Sequence, residues 1–175
     1  VLGHLRRALE FNLERTGRNE LPCGLKADWN DCLRLGYYGE SLFVAFQLRL
    51  GLSVYAETAE RLGELEEAGW ALEERTKLDA KIQAVAWDGE WFIWAIGDDG
   101  TVYGTRDYEE GQVYLNTQAW AVISGAATPE QATRCMQTVH ERLATPYGLM
   151  LCAPPFVKTP VDVMRAVVFN PGIKE

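Results

Sequence analysis

Apolar residues recur about one helical turn apart in successive stretches of the chain, and this spacing restricts its fold more than any other feature. It predicts helices over residues 2–16, 41–62 and 65–87. Only a short turn at Gly63 separates the second helix from the third, so the two are expected to pack as an antiparallel helical hairpin. Successive hairpins of this kind fit a toroidal α/α barrel better than a plain bundle, although periodicity alone does not separate the two.

The apolar stripe of each predicted helix indicates the face that is buried. The inward residues are expected to be Leu42, Phe43, Phe46, Leu50 and Val54 in the second helix, and Leu72, Leu78, Ile82 and Val85 in the third. The paired acidic and basic residues of the third helix then face outward.

The middle of the chain changes from helical spacing to aromatic and β-branched residues. Residues 89–103 carry two such stretches on either side of a Gly-Asp-Asp-Gly turn, which predicts a β-hairpin. Trp87, Trp91 and Trp94 could line a carbohydrate site, but tryptophans in a hairpin more often pack in the core or across strands.

Helical patterns return after the hairpin. They cover residues 117–126 and, after Thr128 as N-cap and Pro129 in the first turn, continue to Leu143. The fold predicted from these elements is mainly α, with a small β-hairpin insertion.

Composition excludes several classes of function. The formal net charge of −8 argues against binding nucleic acid through its phosphates, and no apolar run reaches the roughly 18 residues that span a bilayer. The first residues do not read as a signal peptide, because arginines fall inside a helical pattern. A cytoplasmic protein is therefore expected.

The cysteines and histidines do not indicate a metal or redox site. No pair among the four cysteines has zinc-ligand or redox spacing, so reduced thiols are expected. The two histidines, His4 and His140, have no acidic partner at ligand spacing, and no metal site is predicted.

The two ends of the sequence suggest a piece of a longer protein. The sequence lacks a starting Met, begins within a helical pattern and stops in what reads as a loop. A domain seldom has such ends, so residues 1–175 are expected to be one segment of a larger catalytic domain.

A long loop, predicted from about Arg18 to Tyr38, holds the residues best suited to chemistry. Asp28, Trp29, Asn30 and Asp31 lie together in it, and loops of this length are often functional. Indole can stack on a sugar ring, Asn and Asp can bond its hydroxyls, and a carboxyl group beside an aromatic ring can act as a general acid. The alternative is a turn in which Asp28 and Asn30 bond their own backbone and Trp29 fills the core.

Six stretches, spread in order along nearly the whole chain, resemble glycoside hydrolase family 94, formerly glycosyltransferase family 36. They are LPCGLKADWNDCLRLGYYGES, LFVAFQL, WDGEWF, EEGQVYLNTQAWAVISG, PYGLMLCAPPF and NPGIKE. The family contains phosphorylases for cellobiose, cellodextrin, chitobiose, laminaribiose and cellobionic acid, and the Asp-Trp-Asn-Asp core is its signature.

The resemblance implies an architecture and a set of partners. Family members have an N-terminal β-sandwich, a helical linker and an (α/α)₆ barrel, usually in a homodimer. Residues 1–175 are then about half of the barrel, completed by the remainder of the same catalytic domain.

The resemblance also implies roles for individual residues. Asp31 matches the general acid, Trp29 the neighbouring sugar-binding tryptophan, and Lys174 a lysine near the acceptor sugar. Cellobiose-cleaving members have Glu where Arg165 stands and Tyr where Phe169 stands, so a plain glucose acceptor is in doubt here. The family's donor-sugar residues match positions before Val1, and most of its phosphate site matches positions after Glu175.

The implied reaction is inverting phosphorolysis of a β-linked disaccharide or oligosaccharide. Inorganic phosphate attacks the anomeric carbon while Asp31 protonates the leaving oxygen, which gives an α-sugar 1-phosphate without a metal or organic cofactor. Two alternatives are an inverting hydrolase on the same barrel, which needs a second catalytic carboxylate, and a non-catalytic carbohydrate-binding segment.

Overall fold

The structure is a computed structural model that describes residues 1–25 and 35–159, which are mainly helical with small antiparallel sheets. The helices are α1 (Leu2–Glu14), α2 (Leu42–Arg61), α3 (Leu65–Val85), α4 (Leu115–Ile123) and α5 (Pro129–Leu143). The strands are β1 (Glu40–Ser41), β2 (Ala95–Ile96), β3 (Val102–Tyr103), β4 (Val113–Tyr114), β5 (Ala144–Thr145), β6 (Gly148–Leu149) and β7 (Cys152–Ala153). None of the helices in these two ranges is long and apolar enough to cross a membrane.

Helices α2 and α3 form the antiparallel hairpin that the sequence predicts. Gly63 turns the chain between them with a φ of +80°, a conformation that glycine adopts without steric cost. The ring of Tyr55 in α2 meets that of Trp70 in α3 edge to face, with centroids 5.8 Å apart. Further along, Arg49 Nε in α2 lies 2.9 Å from Asp79 Oδ1 in α3, so early α2 pairs with late α3.

Helix α1 is fixed to this hairpin by charge as well as by apolar packing. Arg6 donates to Glu67 at 2.9 Å, and its guanidinium lies 4.1 Å from the centroid of the Trp70 ring. The other oxygen of Glu67 accepts a hydrogen bond from the hydroxyl of Tyr55 at 2.6 Å. Burial, and then the hydrogen bond to Glu67, raise the pKa of Tyr55 to about 12.

The inward stripe predicted for α2 is wrong at Val54. Leu42, Phe43 and Phe46 are buried, whereas Val54 is 54% exposed. An α-helix turns about 100° per residue, so each step of four residues moves about 40° around the axis. From Leu42 to Val54 the accumulated rotation is about 120°, which carries Val54 out of the core.

The predicted β-hairpin is present, but its paired part is short. β2 pairs with β3 through Ala95↔Tyr103, and with β1 through Ser41↔Ala95, which makes a three-stranded antiparallel sheet. Trp91 and Trp94 are each 1% exposed, so their interpretation as core residues is confirmed. The sheet therefore joins the N-terminus of α2 to the middle of the chain.

The buried side-chain amide of Gln118 in α4 is hydrogen-bonded to Phe92, which lies shortly before β2. Gln118 accepts a hydrogen bond from Phe92 N at 2.9 Å and donates one to Phe92 O at 2.8 Å. Gln118 is fully buried, and the Cys135 thiol of α5 also contacts its oxygen. Helices α4 and α5 are thereby placed against the α2–α3 core.

Helix α5 begins as its sequence predicts. The Thr128 side chain accepts a hydrogen bond from Gln131 N, and the Gln131 side-chain oxygen accepts one from Thr128 N, which forms a capping box. After α5, β5 pairs with β6, and β7 pairs with β4, the strand that precedes α4.

Candidate functional site

Every site residue predicted from the sequence lies outside the described residues. Asp28, Trp29, Asn30 and Asp31 belong to 26–34, and Arg165, Phe169 and Lys174 belong to 160–175. The structure does show what holds the two ends of the first segment and the start of the second.

The two stems of segment 26–34 are hydrogen-bonded to each other. Gly24 N donates to Gly39 O at 3.0 Å, and Ser41 N donates to Pro22 O at 3.0 Å. Residues 22–24 thus run antiparallel to 39–41. These paired residues, here called the frame, hold together the chain before and after segment 26–34, next to the start of α2.

Glu40 fastens this frame to the turn that follows α1. Its carboxylate accepts hydrogen bonds from Asn19 N at 2.9 Å, Asn19 Nδ2 at 2.6 Å and Leu21 N at 3.0 Å. The residue is 1% exposed. Gly17 makes the close approach possible, because a Cβ there would lie 2.4 Å from Glu40 Cγ. Gly17 is therefore needed for the close packing against Glu40.

The backbone is strained on both sides of this stem. Glu20 and Leu25, neither of them glycine, have φ values of 59° and 53°. The left-handed conformation costs a residue with a Cβ roughly 1–2 kcal/mol, and it persists where the surroundings impose it. Here the imposed turns come immediately before the segment predicted to carry the chemistry.

Asp98 holds the other stem. Its backbone N–H donates to Leu35 O at 2.8 Å, and its carboxylate accepts from Tyr37 N at 3.2 Å. Leu35 is 4% exposed and packs against Trp94. The turn between β2 and β3 thereby fixes the point at which the chain leaves segment 26–34.

An aromatic cluster lies beneath this stem. The Trp94 ring stacks on that of Tyr114, with centroids 3.9 Å apart and planes 15° from parallel. Tyr103 and Phe156 belong to the same buried cluster. The cluster packs side chains of β2, β3 and β4 and of the residues after β7 together, next to Leu35 in this stem.

A cavity of about 340 Å³ opens beside the two stems. It is lined by Thr16, Gly17, Arg18, Tyr38, Gly97 and Asp98. A guanidinium, a carboxylate and a phenol can donate and accept hydrogen bonds with a polar ligand. Tyr38 is 62% exposed, and its ring meets that of the neighbouring Tyr37 edge to face, with centroids 4.9 Å apart.

Glu110 plays the corresponding part at the start of the C-terminal segment. Its carboxylate accepts from Val157 N at 3.1 Å, Lys158 N at 3.0 Å and Thr159 N at 2.8 Å. The Thr159 hydroxyl donates to it as well. This hydroxyl, followed by the three backbone N–H groups, lowers the pKa of Glu110 to about 2.

Sequence analysis did not single out Glu40, Asp98 or Glu110. Asp98 falls in a Gly-Asp-Asp-Gly sequence that predicts only a turn, and Glu110 follows another glutamate. The sequence does indicate that Glu40 is buried, because it directly precedes Ser41, the N-cap of an apolar helix. A carboxylate buried there has to find hydrogen-bond donors.

Two cysteines in the part of the chain that the structure describes, Cys23 and Cys135, are buried thiols. Cys23 is buried, and desolvation followed by the charge of Glu40 raises its pKa. Burial raises the pKa of Cys135 to about 12. Neither thiol is poised to ionise near neutral pH.

Comparison with known proteins gives a family match over the whole chain. The sequence model of the glycosyl hydrolase 94 superfamily, catalytic domain, matches residues 1–175. Solabiose phosphorylase of Paenibacillus borealis is 34% identical over 100% of this chain and 23% of its own length. N,N'-diacetylchitobiose phosphorylase of Vibrio proteolyticus is 35% identical over 100% of this chain and 22% of its own length. Cellobionic acid phosphorylase of Neurospora crassa is 32% identical over 91% of this chain and 20% of its own length.

The chain spans about a fifth of the length of these relatives. Among solved structures, a GH78 family rhamnosidase of Bacillus sp. GL1 has a similar fold, with a TM-score of 0.67 and 21% sequence identity. The similarity covers 86% of this chain and 15% of that one.

Proposed function

This chain belongs to the glycosyl hydrolase 94 superfamily as part of its catalytic domain, and from that premise we propose that the protein containing it cleaves a β-linked glucoside with inorganic phosphate. The observation that carries the proposal is that relatives similar over all or most of the chain are named disaccharide phosphorylases. The activity is that of a glycosyltransferase-type sugar phosphorylase.

Residues 1–175 form about half of an (α/α)₆ barrel, which other parts of the same catalytic domain complete. The α2–α3 hairpin, with α1 packed beside it, supports this architecture. Apolar side chains such as Leu62 and Leu65 are 64% and 70% exposed, as expected of a segment whose outer faces meet further helices. The complete protein is cytoplasmic, and it is a homodimer, as family members usually are.

Asp31 is the general acid of the reaction. Phosphate attacks the anomeric carbon of the non-reducing sugar, and the bond to the leaving oxygen breaks as Asp31 protonates that oxygen. A direct displacement inverts the configuration and yields an α-sugar 1-phosphate. Phosphate is already anionic, so the chain needs neither the second carboxylate of an inverting hydrolase nor a cofactor.

The residues around Asp31 bind the sugar. Trp29 presents an apolar ring face to a pyranose, and Asp28 and Asn30 bond its hydroxyls. The hydrogen-bonded stems at residues 22–24 and 39–41 support these roles, since a preorganised frame is what positioning of reacting groups requires. Lys174 contributes on the acceptor side.

Two alternatives are separated by what they need. An inverting hydrolase requires a second catalytic carboxylate to activate water, and phosphate would not accelerate it. A binding segment would retain sugar without turnover. The names of the relatives favour phosphorolysis over both.

The decisive experiment replaces Asp31 with Asn in the whole protein. The variant should still bind its disaccharide but lose about 10²–10⁴-fold in kcat, because the leaving oxygen no longer receives a proton. Steady-state rates of sugar 1-phosphate release measure the loss. Asp28→Asn, which removes a carboxylate three residues away, should cost less and act mainly on KM. Turnover by Asp31→Asn close to that of the unaltered enzyme on an unactivated disaccharide would refute the assignment.

A further inference from the structure

We propose that Glu40 is a positioning residue for the general acid, holding the stem from which the Asp31 segment extends. The inference rests on the proposed function, because it concerns the efficiency of proton delivery by Asp31. Glu40 itself does not touch substrate.

Both carboxylate oxygens of Glu40 accept hydrogen bonds, and all three donors belong to Asn19 and Leu21 in the turn after α1. Both backbone donors, Asn19 N and Leu21 N, flank Glu20 and converge on the same oxygen, Oε1. The side-chain amide of Asn19 donates to the second oxygen at 2.6 Å. Successive backbone N–H groups of a turn form a concave site for an anion, and here the anion is a side chain of the opposite stem.

The carboxylate chemistry at this position is specific. Three N–H donors converge on two oxygens that are removed from water, so the group there has to accept and cannot donate. A glutamine has nearly the same shape but carries two N–H donors of its own. With its oxygen at the position of Oε1, a glutamine keeps the two backbone donors, but its NH₂ group then faces Asn19 Nδ2. The Asn19 amide has to turn over to accept from it, and the negative charge that strengthens all three hydrogen bonds is lost.

The connection to Asp31 runs through the backbone. Leu21, held by Glu40 through its N–H, also accepts from Gly17 N at 3.0 Å, so both of its polar backbone groups are committed. The next residues, 22–24, are paired with 39–41, and the chain then enters segment 26–34. A change at Glu40 therefore alters where that segment begins. Displacements of about 1 Å at a catalytic group can cost 10²-fold in rate.

The test uses two substrates that differ in their need for an acid. The acceptor sugar of a disaccharide would leave as an unstable alkoxide unless its oxygen is protonated. A dinitrophenyl β-glycoside of the same donor sugar instead releases a stable phenolate, which needs no proton. Glu40→Gln in the whole protein should lower kcat for phosphorolysis of the disaccharide by about 10–100-fold. The rate on the dinitrophenyl glycoside should stay within about threefold of the unaltered enzyme, as should KM for phosphate.

Two further variants keep the test interpretable. Glu20→Gln removes a carboxylate from the same turn, but one that is 70% exposed and forms an ion pair with Lys81, and it should change neither rate. Asn19→Ala keeps Glu40 but removes the side-chain amide that donates to it. This variant should show the same selective loss of rate on the disaccharide, more weakly, and it provides the test if Glu40→Gln does not fold.

The outcomes separate the inference from the proposed function. Equal losses on both substrates in Glu40→Gln and in Asn19→Ala would mean that Glu40 merely supports the fold, and the inference would be wrong. Unchanged rates on both would also overturn it. If the unaltered protein forms no sugar 1-phosphate from any disaccharide, the proposed function itself fails.

Discussion

Single carboxylates organise the chain around its predicted catalytic segments. Glu40, Asp98 and Glu110 each accept hydrogen bonds from backbone N–H groups at the stem of a segment that the sequence assigns to sugar binding. Hydrogen bonds to an ionised acceptor are about twice as strong as neutral ones, and they hold the backbone in a defined place. Three acids without an assigned chemical role therefore hold the stems of the segments that carry the predicted site residues.

The clamp at Glu110 predicts a pH-dependent contribution to stability. The pKa of Glu110 is about 2 in the folded chain against 4.5 for an unpaired glutamate. A carboxyl with a depressed pKa stabilises the fold fully above the unfolded value, and its contribution is lost as the pH falls toward the folded value. Glu110→Gln should thus lower the melting temperature at pH 7, and the gap should narrow from about pH 4.5 downward.

Thermal unfolding of the whole protein between pH 3 and pH 7 measures this gap. The neighbouring exposed residue supplies a control, since Glu109→Gln should change the melting temperature little at any pH. A gap for Glu110→Gln that stays constant over this range would contradict the assigned ionisation.

Arg165 and Phe169 predict an acceptor different from plain glucose. Guanidinium only donates hydrogen bonds, whereas the Glu of the cellobiose-cleaving pattern accepts them. The substrate that we rank first is a neutral β-glucoside whose acceptor sugar differs from plain glucose. Cellobionic acid ranks second, because its carboxylate suits an arginine. Arg165→Glu should move the ranking of acceptors toward glucose in the synthetic direction.

Rates of synthesis from a sugar 1-phosphate and a series of acceptors give that ranking. The competing interpretation is that Arg165 pairs with a nearby acid such as Asp162 and never meets the substrate. Glucose as the best acceptor by a wide margin, with an order unchanged in Arg165→Glu, would refute the acceptor role.

Helices and strands differ in how far the sequence predicts them. The helix α5 has its N-cap, proline and capping partner within four residues, and its bounds match the prediction. α2 starts after Ser41 for the same reason. The pairing of β1 with β2 was not predicted, because it joins residues more than 50 positions apart, which no local sequence pattern reports. The stem bonds were missed on the same ground, since they join 19 to 40, 35 to 98 and 110 to 159.

The placement of α4 depends on Gln118, which predicts a large stability effect. Replacing it with Leu leaves the buried N–H and C=O of Phe92 without partners, at a cost of about 2–4 kcal/mol for the two groups. Denaturant unfolding of the whole protein measures the change in the free energy of unfolding. The exposed Gln137→Leu in α5 is the matched control and should cost less than about 0.5 kcal/mol. A Gln118→Leu variant as stable as the control would show that the amide does not hold α4.

At the scale of the whole molecule, the chain spans about a fifth of the length of its relatives. The resemblance to the family implies that the donor-sugar residues and most of the phosphate site match positions outside it. Under the proposed function, residues 1–175 contribute the proton donor Asp31 and part of the acceptor site, and the remainder of the catalytic domain brings the phosphate. We propose that these parts together form an inverting phosphorylase.

The anomeric form of the first product tests this account most directly. The whole protein is mixed with its disaccharide and inorganic phosphate, and the products are followed by ³¹P and ¹H NMR from the first minutes. The account predicts an α-sugar 1-phosphate that appears in step with the released acceptor, and no cleavage when phosphate is left out. A β-sugar 1-phosphate, or cleavage at the same rate without phosphate, would contradict it.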